Sequence, residues 1–211
     1  MKSLGIFGTS GFAREVGDIA ADLGYQVVYV ARDEQELSAW SFSGDVMLES
    51  DLTSYQDMVF AIGIGENGVR RRLASRYRAQ LKFANLIHPS ATFGHMQRQI
   101  VEAKEGVVVC AGVRFTNNIQ VGDFTVFNLN ATVGHDAIIE DFVNIAPGAN
   151  ISGNVHIETG CWIGTGAAIN QGGNNEKLVI GRDTVIGSGA VVVKPCEPSA
   201  VYAGIPAKRI K

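Results

Sequence analysis

Cysteine is scarce. The three residues, Cys110, Cys161 and Cys196, leave one thiol over in any disulfide scheme, and none stands in a CxxC pair. A disulfide framework is excluded, and reduced thiols in a reducing compartment are expected. Basic residues are not in excess: the formal net charge is −3, so there is no electrostatic footprint for nucleic acid. No apolar run approaches the ~18 residues that a membrane-crossing helix needs. Met1 to Gly8 has one lysine and a brief apolar run, without the h-region or cleavage site of a signal peptide. A cytoplasmic protein without membrane insertion is expected. Histidine is rare too. His88, His95, His135 and His156 are 7, 40 and 21 residues apart, without a paired neighbour, so no metal site is predicted. There is no GxSxG elbow.

What the chain does have is a rhythm. From Val109 every sixth residue is large and apolar: Phe115, Val121, Phe127, Val133, Ile139, Ile145, Ile151, Ile157, Ile163 and Ile169 follow. The residue two before each is small or β-branched, as at Val113, Ala131, Val143 and Cys161. A helix repeats every 3.6 residues and a simple strand every 2, whereas a strict six is the period of a parallel β-helix. Three hexads make one triangular coil. Cys110 and Cys161 fall within the packed repeat, which argues against a cysteine nucleophile. The rhythm resumes at Ile180, so Gln171–Lys177 is predicted to project as a loop. The general crossover rule alone would make the coil right-handed. Open coil ends need cover. The N-terminal domain is expected to cover one and the tail from Pro195 the other. Met96–Ala103 breaks the rhythm and reads as a loop or an irregular coil.

Residues 1–84 read differently. Leu4–Phe7 is a short strand, Gly8-Thr9-Ser10-Gly11 a glycine turn, and Phe12–Leu23 an amphipathic helix before a second strand at Val27–Val30. This is a βαβ unit, although GxGxxG is not satisfied because Ile6 stands where the first glycine belongs. A strand at Met58–Ile62 leads into a second turn, Gly63-Ile64-Gly65, and a basic helix at Val69–Arg78. Helix N-termini after such turns attract phosphate, or the turns are merely tight. Arg70 either reaches a phosphate or belongs to a solvated face. Arg32–Ser54 reads as polar and irregular, and an acid there, near Asp33, suits a ribose or base contact.

His135 stands out on a structural repeat. It follows Val133-Gly134, just past an inward position, so it lies at a corner where a side chain can point outward. Asp136 beside it could orient the imidazole or raise its basicity. His156 reads as a solvent-exposed corner residue and His88 as structural.

The hexad array together with the tail AVYAGIPAKRI resembles the left-handed β-helix acyltransferases. GIFGTSGFAREV, NLIHPSA and TVGHDAIIEDFVNIAPGANISGNVHIETGCWIGTGA narrow the likeness to sugar O- and N-acetyltransferases of the sialic-acid and bacillosamine type. Nucleotide-diphospho-4-amino-sugar N-acetyltransferases are the best match. The resemblance implies a small Rossmann-like α/β domain (1–84) that binds a nucleotide sugar and a left-handed β-helix acyltransferase domain (85–211). It implies acetyl-CoA as co-substrate, no metal, and a homotrimer with the coenzyme between two β-helices. It places the base on His135 and its acidic partner on Asp136. Coenzyme contacts fall on Asn144, Gly153, Thr165 and Ser188, and nucleotide-sugar contacts on Ser10, Gly11, Phe12, Asp33, Gly63 and Gly65. The family often has paired acids after its second strand, where this chain reads Ala31-Arg32-Asp33-Glu34, so the nucleotide stays open. Two other readings stand beside N-acetylation: O-acetylation of a sialic-acid-like sugar, and a non-catalytic protein that binds nucleotide sugars.

Overall fold

The computed structural model describes residues 2–55, 57–173 and 176–211. The N-terminal domain holds a five-stranded parallel sheet of β1 (Ser3–Phe7), β2 (Gln26–Ala31), β3 (Asp45–Leu48), β4 (Val59–Ile62) and β5 (Lys82–Phe83), in the order β3-β2-β1-β4-β5. The sheet is larger than expected, because β3 and the short helix α2 (Glu34–Ser38) occupy the stretch predicted to be irregular. The strand order reverses between β1 and β4. In open α/β sheets that reversal opens a crevice at the carboxyl ends of the strands. Helix α1 (Gly11–Asp22) follows the first glycine turn, and α3 (Asn67–Tyr77) follows the second. Glu66 caps α3, accepting the N–H groups of Gly68 and Val69 at 2.8 and 2.9 Å.

The hexads wind into a three-sided parallel β-helix. Its first face stacks Val108 beside Val126, then Asn144, Trp162 and Val185. The second stacks Arg114, Thr132, Asn150, Ala168 and Val191, and the third Gln120, Ile138, His156 and Val179. Inward residues such as Phe127, Ile145, Val155 and Ile163 are fully buried in one continuous column. The corners turn through left-handed backbone at Asn118, Asn130, Asp136 and Asn154, where short polar side chains tolerate the conformation best. All three cysteines are buried. Burial pushes the thiols of Cys110 and Cys161 up to about 12 and that of Cys196 to about 11.

One end is closed as expected and the other is not. Met96–Ala103 contains α4 (Gln97–Glu102), which takes the third side of the first coil and buries Val101 in the column. The fully buried Gln97 amide donates to the Ile119 carbonyl at 2.8 Å and accepts its N–H at 2.9 Å. The N-terminal domain covers a side rather than an end. Leu4, Ile6 and Ala13 pack with Leu86, Val108 and Val126 of the first face. At the other end the tail strand Val201–Ala203 extends the first face, and Tyr202 packs against the column. Among the described residues no helix is long and apolar enough to cross a membrane.

Candidate active site

A cavity of about 290 Å³ opens at the β1/β4 reversal, lined by Gly8, Thr9, Ser10, Val30, Arg32, Glu36, Glu49, Ile64, Val69 and Leu73. Gly8 has φ +109°, a conformation that glycine adopts at little cost. Ser10 stands at the N-cap of α1, its side chain making no capping bond, and the first turn of α1 holds no acid. The positive end of that helix is therefore uncompensated beside the cavity. Glu36 accepts the Arg32 N–H at 2.8 Å and the Thr9 hydroxyl, which fixes its carboxylate at the cavity wall.

Several predicted contacts lie elsewhere. Gly11 is exposed at the start of α1, and Phe12 packs into the domain core. Asp33 is spent on structure: it caps α2 through the Glu36 N–H at 2.9 Å and pairs with Arg32 at 2.8 Å. Those bonds hold its carboxyl below the usual range. Two acids line the cavity: Glu36, three residues on, and Glu49, which accepts from Arg76 and the Tyr77 hydroxyl at 2.8 and 2.6 Å. Gly63 serves close packing, since a Cβ there would stand 2.6 Å from the Ala13 Cα. Arg70 does not reach the cavity. It is 1% exposed and donates to the carbonyls of Ile64, Gly65, Phe124, Phe142 and Val143 and to Asn67 Oδ1. Burial pulls its guanidinium down to about 9, so it stays charged at neutral pH while it ties the second glycine turn to the β-helix.

Gly65 meets the first face. Its carbonyl also accepts the Asn144 amide at 3.0 Å. Asn144 is buried beside Trp162, and its Oδ1 has no hydrogen-bond partner among the described residues. The predicted coenzyme contact is thus closed to solvent in a single chain. Beside it lies a second cavity of about 460 Å³, lined by Glu66, Asn67, Gly68, Arg71, Gly160, Trp162, Asp183 and Val185.

His135 sits on the edge between the second and third faces, as its place after Val133 predicts. Its Nδ1 lies 2.6 Å from Asp136 Oδ2, and Asn118 donates to Asp136 Oδ1 at 2.5 Å. Both bonds hold the Asp136 carboxyl below the usual carboxylate range, the one to His135 most. With Nδ1–H donated to a carboxylate, Nε2 carries the lone pair. The ring lies across Gly153: a Cβ there would stand 2.5 Å from Nε2, so only glycine leaves room. Gly153 is buried beneath the imidazole, and its N–H has no acceptor among the described residues. Thr165 and Ser188 are exposed on a different edge, between the first and second faces. His156 is not a corner residue. It lies on the third face, half-buried, with Nε2 2.8 Å from Glu140 Oε1. His88 accepts the Ser90 N–H at 3.0 Å and sets its Nε2 3.3 Å from Asp22 of α1, a structural tie between the two domains. Among the described residues no cluster could hold a metal.

Residues 3–77 match the family described as the PglD N-terminal domain. The chain is 30% identical to a GDP-perosamine N-acetyltransferase from Escherichia coli, over 100% of this chain and 97% of that protein. It superposes on the acetyltransferase domain of PglB from Neisseria gonorrhoeae in complex with acetyl coenzyme A, with a TM-score of 0.86, 28% identity and 99% of each chain covered. Against PerB from Caulobacter crescentus in complex with CoA and GDP-perosamine the TM-score is 0.83 at 26% identity, over 100% of this chain and 98% of that one. Whole-length likeness in sequence and architecture leads to one conclusion: the chain belongs to the left-handed β-helix, hexapeptide-repeat N-acetyltransferases of nucleotide-linked amino sugars.

Proposed function

We propose that this protein transfers the acetyl group of acetyl-CoA to the amino group of a nucleotide-linked 4-amino-4,6-dideoxy sugar. The observation that carries the reading is the His135–Asp136 pair, with Nδ1 held at 2.6 Å and Nε2 free. The amine nitrogen attacks the thioester carbonyl carbon directly. As the N–C bond forms, the amine's proton passes to His135 Nε2; the C–S bond then breaks and the leaving thiolate takes that proton from Nε2, so the coenzyme departs as its thiol. Asp136 orients the imidazole and stabilises its protonated form. The N–H of Gly153, beneath the ring, is the candidate donor for the developing oxyanion.

Residues 1–84 hold the nucleotide sugar in this reading, and 85–211 carry the acetyl transfer. Ser10 with the α1 N-terminus and Arg32 face the diphosphate, and Glu36 replaces Asp33 as the acid toward ribose or base. Gly153, Thr165 and Ser188 contribute to the coenzyme groove, while Asn144 ties the second glycine turn to the first face. One chain does not complete this site. A prism side of about five extended residues is ~16 Å wide, which puts the His135 edge ~14 Å from the opposite first face. The nucleotide cavity, Gly65 and Asn144 all lie on that far side. A homotrimer resolves the separation by setting the His135 edge of one protomer against the first face of the next. The cytoplasm, where nucleotide sugars and acetyl-CoA meet, is the compartment this reading assigns.

The test offers a panel of GDP-, UDP- and dTDP-linked amino and hydroxyl sugars with acetyl-CoA and follows free thiol. Thiol release with 4-amino sugars supports the reading. Release with hydroxyl sugars alone makes the protein an O-acetyltransferase, and nucleotide binding without release makes it a non-catalytic binder. His135→Ala is expected to lower kcat ~10²–10⁴-fold with the oligomer intact; an unchanged kcat removes His135 from the mechanism.

A further inference from the structure

We propose that Lys177, at the end of the insertion that interrupts the hexad rhythm, is a positioning residue that sets the orientation of the His135–Asp136 pair. The proposal rests on His135 being the base.

The insertion adds five residues. Ile138 pairs with His156, 18 residues on, whereas Val155 pairs with Leu178, 23 residues on. The extra chain leaves from the edge that carries His135, one coil above Gly153 and Asn154. Its described residues turn back over that edge. Gly172 donates to the Gly153 carbonyl at 3.1 Å, and the Asn154 amide donates to the carbonyls of Gly173 and Glu176. The Lys177 ammonium then reaches down two coils. It donates to Asn154 Oδ1 at 2.9 Å and to the main-chain carbonyl of Asp136 at 2.5 Å.

That carbonyl belongs to a residue at φ +60°. Holding that carbonyl fixes the peptide plane at the corner, and with it the backbone from which the Asp136 side chain departs. From below, Asn117 accepts the Asp136 N–H at 3.2 Å and Asn118 holds its carboxylate. Lys177 supplies the hold from above, and a charge-assisted bond from an ammonium is stronger than a neutral one. Other corners close through backbone bonds and neutral side chains, as at Gly112, whose N–H donates to Ser90 Oγ at 3.0 Å, so the lysine is not needed to make a coil.

The experiment replaces the ammonium and then restores it. Lys177→Cys in the full-length oligomer is expected to lower kcat ~10–100-fold, the scale of a misplaced catalytic group. KM for acetyl-CoA and for the nucleotide sugar should stay within about twofold, since Lys177 bears on the orientation of the base rather than on binding. Alkylation with 2-bromoethylamine rebuilds a lysine-length ammonium on the new thiol and is expected to restore kcat. Cys110, Cys161 and Cys196 are buried, so the more accessible thiol at position 177 reacts first. Lys177→Met keeps the stem; the same loss of kcat with an unchanged melting curve excludes misfolding as the cause. An unchanged kcat in either variant overturns the proposal, and so does a loss that aminoethylation does not reverse. His135→Ala is run in parallel. An inactive His135→Ala beside a fully active Lys177→Cys defeats only this proposal, whereas an active His135→Ala defeats the assignment beneath it.

Discussion

The imidazole of His135 is fixed through its floor and one nitrogen, and both contacts are open to test. Gly153 is the floor, with space for a hydrogen and none for a methyl group. Its φ lies outside the positive range, so alanine fits the backbone and the ring must give way instead. Gly153→Ala is expected to leave the melting curve unchanged and to lower kcat ~10²-fold, the penalty of roughly 1 Å of displacement. Single-turnover acetyl transfer checks it. On the nucleotide side the competing acids separate cleanly. Glu36→Gln removes the charge at the cavity wall and is expected to raise KM for the nucleotide sugar ~10-fold, as the loss of one hydrogen bond to a charged group does. Asp33→Asn should change neither KM nor kcat, because asparagine caps α2 equally well. A reversed ranking returns the acid to Asp33.

At the scale of the element, a buried cation joins the two halves of the chain. Arg70 meets carbonyls from the second glycine turn and from the corners at Phe124 and Phe142, with no carboxylate among them. Arg70→Met leaves those carbonyls unpaired in the interior. It is expected to lower unfolding free energy by about 3–5 kcal/mol, measured by urea titration. Arg71→Ala, which breaks an exposed pair with Asp183, should cost less than about 1 kcal/mol. The residue numbers alone hid this difference, because Arg70 and Arg71 belong to one basic run and only tertiary packing decides which of them points inward. The same blindness covers α2 and β3, short elements in a polar stretch whose order comes from their neighbours. His135 was legible for the opposite reason: the hexads count off every corner, and it falls on one. His156 was misread as a corner residue, although Val155 and Ile157 are both inward and the residue between them must face out from a flat side. Lys177 left no trace in the period, because an insertion is where the period stops.

At the scale of the whole molecule, the prism separates what the chemistry must bring together. Asn144 and Trp162 stand on the first face, the proposed nucleotide cavity lies in the domain packed against that face, and His135 stands on the edge opposite. Two lesions in different chains therefore test the assembly. His135→Ala removes the proposed base, and Ser10→Trp fills the cavity beside the α1 N-terminus; in the proposed homotrimer each variant alone is expected to be inactive. When the two variants are co-expressed, a site at a protomer boundary works if its edge comes from a Ser10→Trp chain and its face from a His135→Ala chain. Random mixing in equal amounts meets both conditions at about a quarter of the boundaries, since the two choices are independent in a cyclic trimer. Co-expressed protein with different affinity tags, purified through both, is expected to regain acetyl transfer, while a mixture of the separately assembled homotrimers stays inactive. A site contained within one chain gives no recovery at any mixing ratio, because every chain then carries one lesion of its own.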